Sequence, residues 1–359
     1  MKPLKANEVI ALSKIRESIT DGDSLKEINK VIRNIQPLLR DQNFPFAYAG
    51  CLLANHQREV EAMQMLALDH DNVFSKILLG YLEETGALIM ASKVFEDAKP
   101  YHIYTQTPLY KSHEKALVTN IARFAGENPH PPGKLPTILD IGPGDGELTA
   151  RYVDAIVREY ELEKIRLIFI DPFHEQLEMA SANCHDKTEA ACEIITICNK
   201  VQDLTPAQVG GLMKYKPVWF VAAALSVHHM PEEQKIPMLR TMKSLSDRFI
   251  LAEVNWNHDL PEKDSPELIY SVVKNYGFFC QGILDLPVSE AERKLCLYHF
   301  PLDEAINIIK SERNNRIDYH TPINNWKRIA ETAGFRVNPP QTTYYRNGEP
   351  YLFMMDFCA

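Results

Sequence analysis

A chain of 359 residues with 45% hydrophobic and 24% charged side chains has room for one full-sized core and a second compact unit, so two domains are expected. Its formal net charge of -9 excludes an overall basic surface of the kind that grips phosphate backbones, and argues against nucleic acid as the partner. No apolar run is long enough to span a membrane, no secretory or lipidation signal is found, and the seven scattered cysteines form no C-x-x-C pair. The expectation is a cytoplasmic protein with buried thiols, no membrane partner and no metal site.

Residues 6 to about 96 read as helices. Leu12, Ile15 and Ile19, then Leu25, Ile28, Val31, Ile32, Ile35, Leu38 and Leu39, recur at helical spacing. The pattern resumes over 44–54, 60–68 and 73–84, after breaks at Gln42-Asn43-Phe44-Pro45 and Asp69-His70-Asp71-Asn72. This stretch is assigned to an N-terminal all-α domain, 1–100, whose surface leaves a homodimer or a protein partner open. A linker dense in aromatics follows, with Tyr101, Tyr104 and Tyr110, then a helix over 113–128 that begins at His113 and leads through Pro129-His130-Pro131-Pro132-Gly133 to the first strand.

The apolar run from Leu135 ends in Asp140-Ile141 and is followed by Gly142-Pro143-Gly144-Asp145-Gly146. Alternate glycines let a chain turn at positive φ without a Cβ penalty and bring backbone N–H groups against a ligand. The helix expected over 147–160 turns its positive end toward the same place. The dinucleotide fingerprint requires a third glycine where Glu147 stands, and a diphosphate would be repelled by Asp140, which disfavours a nicotinamide dehydrogenase.

The pattern D-x-G-x-G-x-G resembles motif I of the class I S-adenosylmethionine-dependent methyltransferases, whose ligand is cationic and carries no phosphate. The resemblance implies that S-adenosyl-L-methionine is the cofactor, held by Asp140, Gly142, Pro143, Gly144 and Gly146. Asp171, at the tip of a second strand ending Ile168-Phe169-Ile170-Asp171-Pro172, would accept the ribose hydroxyls, with Pro172 beside it. After a third strand, 193–198, the segment Asn199-Lys200-Val201 is carried over as a backbone contact only, because Lys200 stands where the family pattern has an acid. A fourth strand from Lys216 ends at Ala224 and Leu225, which complete the cofactor wall, and runs into Ser226-Val227-His228-His229-Met230, similar to a Leu-His-His segment of small-molecule methyltransferases. The fifth strand, 248–254, ends in Glu253 and is followed by Asn255. A late helix, 326–335, stops at Gly334, and 336–339 with 349–358 reads as a closing antiparallel pair across Tyr345-Arg346-Asn347-Gly348-Glu349. The implied fold is α/β, a Rossmann-like seven-stranded sheet with an antiparallel last strand, occupying 101–359.

Roughly 70 residues separate the fifth strand from Trp326, far more than the usual connection of about two to six. Helices are expected over 266–276, 289–300 and 302–311, forming a lid insert at about 257–321 over the acceptor. His228, His229 and Glu253 are the candidate catalytic residues, since a neutral imidazole suits removal of a hydroxyl or ammonium proton near pH 7. Acceptor contacts are expected from Tyr104, Tyr110, His113, Asn255, Tyr298, His299, Arg316, Tyr319 and His320. The acceptor is expected to be oxygen or nitrogen of a small molecule or a modified peptide. Two other functions fit the same residues: a catalytically silent methyltransferase-like interaction protein, or a protein or RNA methyltransferase that recruits through its N-terminal helices.

Overall fold

The structure is a computed structural model that describes residues 3–90 and 98–359. The last part of the expected N-terminal helical run, 91–96, lies outside the described residues. The chain divides into two compact units: Lys111–Asn255 with His320–Ala359, and Lys2–Tyr110 with Trp256–Tyr319. Among the described residues no helix is long and apolar enough to cross a membrane.

The N-terminal part of the helical unit holds α1 (Ala6–Thr20), α2 (Leu25–Ile35), α3 (Phe44–Asn55), α4 (Glu59–Leu68), α5 (Val73–Thr85) and α6 (Ala98–Tyr104). Local chemistry sets their ends. Ser24 and Glu27 form a capping box at the start of α2, Asn72 accepts from the first backbone N–H groups of α5, and Gly86 closes α5 at φ +73°.

The second unit begins within α7 (Pro108–Glu127) and alternates strand and helix: β1 (Thr137–Ile141), α8 (Glu147–Glu159), β2 (Lys164–Asp171), α9 (His174–Lys187), β3 (Ala191–Cys198), α10 (Pro206–Met213), β4 (Phe220–Ala224), α11 (Glu232–Leu245) and β5 (Arg248–Val254). The chain then returns to the helical unit through α12 (Pro266–Leu284), α13 (Glu290–Leu297) and α14 (Asp303–Lys310). Between α13 and α14 a π-helical turn, Tyr298–Leu302, accommodates Pro301, which has no N–H to give. The α/β unit closes with α15 (Ile323–Thr332), β6 (Arg336–Val337), β7 (Gln341–Arg346) and β8 (Glu349–Cys358).

The strands lie in the order β3-β2-β1-β4-β5-β8-β6, with β7 also paired to β8; β1 to β5 are parallel and β8 runs antiparallel to β5. This is the methyltransferase-type sheet that the motif resemblance implies. Its closing differs in detail from the expected pair. The hairpin partner of β8 is β7, across Asn347-Gly348, and 336–339 contributes only the two-residue β6. Asn347 at φ +51° and Gly348 at φ +77° form the left-handed two-residue turn that sets this register.

Side chains alternate across the sheet with period two. Leu139, Ile141, Ile168, Ile170, Val221, Ala223, Phe249 and Leu251 join α11 and α15 residues such as Leu239, Met242, Trp326 and Ile329 on one face. Ile138, Leu167, Phe169, Phe220, Ala222 and Ile250 meet α7, α8 and α9 on the other, through Ile121, Phe124, Val153, Ile156 and Leu177.

In the two compact units 256–319 groups with the N-terminal segment that ends at Tyr110. The physical reason lies in α12, whose Leu268, Ile269, Val272, Val273, Tyr276, Phe279, Cys280 and Ile283 are buried round most of its circumference. Such a helix needs neighbours on several sides, and α1, α3, α5, α13 and α14 supply them.

Candidate functional site

The carboxyl ends of β1, β2, β4 and β5 gather most of the expected site residues in the α/β unit. Gly142, Gly144 and Gly146 sit at φ +64°, +57° and +76°, a region where a Cβ costs roughly 1–2 kcal/mol. A Cβ on Gly142 would also stand 2.4 Å from the Ser226 Cβ, and one on Gly146 2.5 Å from the Ala180 Cα. Gly144 is different: a Cβ there would meet no atom within 4 Å. Gly142 and Gly146 are thus required by the protein's own packing, and Gly144 marks the part of the loop whose backbone faces open space.

Asp140 lies at the end of β1, on the face that α8 covers. Its Oδ2 accepts from Thr149 Oγ1 at 2.6 Å and from Tyr152 Oη at 2.7 Å, and burial pushes its carboxyl up to about 6. Alternation along β1 sends this side chain toward α8, so its bonds tie the glycine loop to the following helix. Pro143 completes the turn, accepting from Gly146 N–H at 3.0 Å.

Asp171 ends β2, is buried, and accepts from Phe173 N–H at 2.9 Å; burial raises its carboxyl above the usual range, against the opposing pull of the Phe173 and Gly144 backbone N–H groups. A carboxylate has about four acceptor positions, so this bond leaves capacity for further donors. Pro172 and Phe173 beside it are exposed, the latter 53%. Asn199 is spent on its own turn, its Nδ2 donating to Asp203 O at 3.1 Å and its Oδ1 accepting from Lys200 N–H at 2.9 Å. Lys200 is exposed and Val201 buried.

Ala224 and Leu225 end β4. Leu225 is held at φ +52°, a conformation that L-residues avoid, and its N–H donates to Ala252 O at 2.9 Å. The turn this produces presents Ser226, whose Oγ donates to Ile141 O at 2.6 Å, and then a short 3-10 turn, Val227–His229. In that turn His228 is buried with Nδ1 2.9 Å from Glu253 Oε2 and 3.2 Å from Oε1, while Val227 N–H donates to Oε1 at 3.2 Å. Glu253 falls on this face of the sheet because it follows Phe249 and Leu251 at period two. A carboxylate on Nδ1 selects the tautomer with Nδ1–H and places the ring's lone pair on Nε2, the arrangement of an oriented imidazole base. The ring of His320 stacks on His228 at 4.4 Å and 16°, and His229, exposed, lies 4.2 Å from it.

Other expected acceptor residues have structural partners. Asn255 bridges β8 and α15: its Nδ2 donates to Pro350 O at 2.9 Å and its Oδ1 accepts from Ile323 N–H at 3.1 Å. His113 is buried in the α/β unit, bonded to Thr343 Oγ1 at 2.8 Å, and burial pushes its ring down to about 3.

In the helical unit, Tyr104 packs between Phe279 and Phe300, each at 5.0 Å, and lies 5.7 Å from Tyr110. Tyr298, pushed up to about 12 by burial, donates to Glu84 at 3.3 Å. His299 is exposed and 3.6 Å from Asp303. Arg316 and Tyr319 are buried.

Sequence reasoning missed four residues of this site. Thr149 and Tyr152 hold Asp140; their signal is their position two and five residues after Glu147, one and two turns into α8. Phe173 presents an exposed ring next to Asp171-Pro172. Lys235, fully buried in α11, donates to Thr321 Oγ1 at 2.6 Å and lies 5.1 Å from the Trp326 ring; its signal is a lysine on the face that carries Met238 and Leu239.

No protein-family model matches the chain. It is similar to Scarecrow-like protein 21 of Arabidopsis thaliana, with 25% identity over 291 residues, which are 79% of this chain and 61% of that protein. The chain therefore spans less than two thirds of the length of the curated relative it matches. Among solved structures, SCL7 of Oryza sativa has a TM-score of 0.64 at 14% identity, over 82% of this chain and 93% of that one. Magnesium protoporphyrin IX methyltransferase from Synechocystis PCC 6803, crystallised with bound SAH, has a TM-score of 0.44 at 16% identity, over 79% and 98%. The α/β unit of this chain has the strand order of a class I methyltransferase sheet, with the glycine loop and the His228–Glu253 pair at its carboxyl end.

Proposed function

We propose that the chain is an S-adenosylmethionine-dependent methyltransferase acting on oxygen or nitrogen of a small molecule or a modified peptide. The observation that carries this reading is the Gly144–Asp171 arrangement: an unobstructed backbone at positive φ beside a carboxylate that keeps acceptor capacity at the tip of the neighbouring strand. Asp171 would accept the two ribose hydroxyls, Phe173 would offer its exposed ring to the adenine, and Gly144 would let the ligand lie against the loop. When bound, S-adenosylmethionine supplies a methyl group activated on a sulfonium. Asp140 acts from behind, by fixing the loop to α8.

The role assigned to His228 is general base. Glu253 holds Nδ1–H, orients the ring and stabilises the imidazolium that forms when Nε2 takes a proton from the acceptor hydroxyl or ammonium. His320, stacked on the ring, keeps its plane. The test separates chemistry from binding. His228→Ala should lower kcat by roughly 10²- to 10⁴-fold and leave the Kd for S-adenosylhomocysteine unchanged. Near-normal kcat in this variant would remove His228 from the chemistry.

A second reading is a methyltransferase-like protein that binds cofactor without turnover. It is favoured by Asp140, whose carboxylate is committed to Thr149 and Tyr152 inside the unit, and by the sequence similarity to a Scarecrow-like protein. Binding of S-adenosylhomocysteine with no methyl transfer to any acceptor would support it.

A further inference from the structure

Four arginines of the helical unit differ in one respect. An arginine presents a flat edge, Nε with Nη2, whose two N–H groups match the two oxygens of a carboxylate. Arg40 fills this edge with Glu8, at 3.0 and 2.6 Å; Arg58 fills it with Glu61, at 2.5 and 2.7 Å; Arg313 fills it with Asp259, at 3.0 and 2.5 Å. Arg316 is more deeply buried than any of them, at 4% exposure. Its Nη1 donates to His258 O at 2.7 Å, yet Nε and Nη2 have no hydrogen-bond partner among the described residues.

A buried guanidinium with an unsatisfied edge costs free energy, because it has given up water and gained one bond. Arginine is almost never this buried unless it is paired. Burial also lowers its proton affinity, with Tyr319 opposing that effect, Arg313 adding to it, and Asp259 and Glu312 opposing it more weakly. The chain around it, Arg316 to Pro322, is irregular, and the residue that accepts its one bond, His258, is flanked by aromatic rings: Trp256 at 5.4 Å and Tyr276, stacked, at 5.8 Å.

We infer that the Nε–Nη2 edge of Arg316 is a binding site for the carboxylate of a small organic acid. A carboxylate has the two coplanar oxygens that the edge requires and a single negative charge. Phosphate fits less well, since Asp259 and Glu312 already place negative charge around Arg316 and a dianion would be repelled. This inference does not depend on the methyltransferase reading, because the binding is measured without cofactor.

The test uses the full-length protein and thermal unfolding, with phenylacetate as the probe and phenylacetamide as its neutral counterpart. Phenylacetate should raise the midpoint in a concentration-dependent way, and phenylacetamide should not. Arg316→Lys keeps the charge and loses the fork, and should weaken phenylacetate at least about ten-fold. Arg316→Met removes the guanidinium and should show no response to phenylacetate. The inference is overturned if phenylacetate gives no shift in the native protein. It is overturned equally if the shift persists in Arg316→Lys at full affinity or in Arg316→Met, or if inorganic phosphate acts where phenylacetate does not.

Discussion

The two units use buried polar groups differently. In the α/β unit the buried groups at the strand ends find partners on the same edge of the sheet or in the segment that follows: Asp140 with Thr149 and Tyr152, Asp171 with Phe173, His228 with Glu253. Parallel strands with right-handed crossovers force this convergence, because every strand delivers its last residues to one edge. In the helical unit the partners come from distant segments. Tyr48 donates to Asp264 O at 2.8 Å, Asn55 to Asp264 Oδ1 at 2.8 Å, and Cys296 to Pro100 O at 3.1 Å. A topology of parallel strands makes its site readable from local motifs, whereas a helical cluster built from two chain segments does not.

The largest effect that would break this comparison is on folding itself. Deleting residues 1–110 should yield insoluble protein, because α12 would lose α1, α3 and α5 and expose an apolar surface. Removing 1–110 together with 256–319, and joining Asn255 to His320 through a short linker, should leave a soluble α/β unit. The join is short because Asn255 already accepts from Ile323 N–H at 3.1 Å. Soluble, cooperatively folded protein from the single deletion would support a boundary near residue 100.

A smaller effect sharpens the account of Asp171. Asp171→Ala should weaken S-adenosylhomocysteine by about 1.5–3 kcal/mol, roughly 10- to 150-fold, the range for hydrogen bonds to a charged group. An unchanged Kd in the folded variant would make Asp171 a residue of the turn alone.

How legible was this in the sequence? The strands, the three glycines and the two acids at β1 and β2 were readable because they combine a period-two pattern with a backbone conformation that only glycine takes easily. The direction of Asp140 was not, although it follows from the same alternation: a position-by-position count from Ile138 sends it toward α8. Tyr104 and Tyr110 read as a pocket wall; Tyr104 packs on Phe279 and Tyr110 on Tyr104, and aromatic residues look alike in any interface. Asn255 reads as an acceptor contact, and its side-chain amide also ties β8 to α15, which a strand-end pattern does not reveal. The grouping of 256–319 with the N-terminal helices was invisible because periodicity reports that a helix has an apolar face and says nothing of which helix covers it.

The smallest effect concerns pH. Burial holds His113 down to about 3 against an ordinary value of 6.5, so the folded state keeps it neutral while the unfolded state takes a proton. That contribution to stability is fully present above pH 6.5 and is lost as pH falls toward 3, by up to about 1.4 kcal/mol per pH unit. Asp140, raised to about 6, works in the opposite sense over an overlapping range, adding stability as pH falls through 6. Urea unfolding at pH 7 and pH 5 should therefore show a steeper acid loss in the native protein than in His113→Gln. Parallel losses in the two proteins would place the acid sensitivity elsewhere.

The most direct measurement of the central claim is calorimetry of the full-length protein with S-adenosylhomocysteine and, separately, with NAD. The glycine loop, the open face at Gly144 and the acceptor capacity of Asp171 predict saturable one-to-one binding of S-adenosylhomocysteine and none of NAD. Heat from NAD alone, or from neither, would contradict the assignment of the strand-end site to this cofactor.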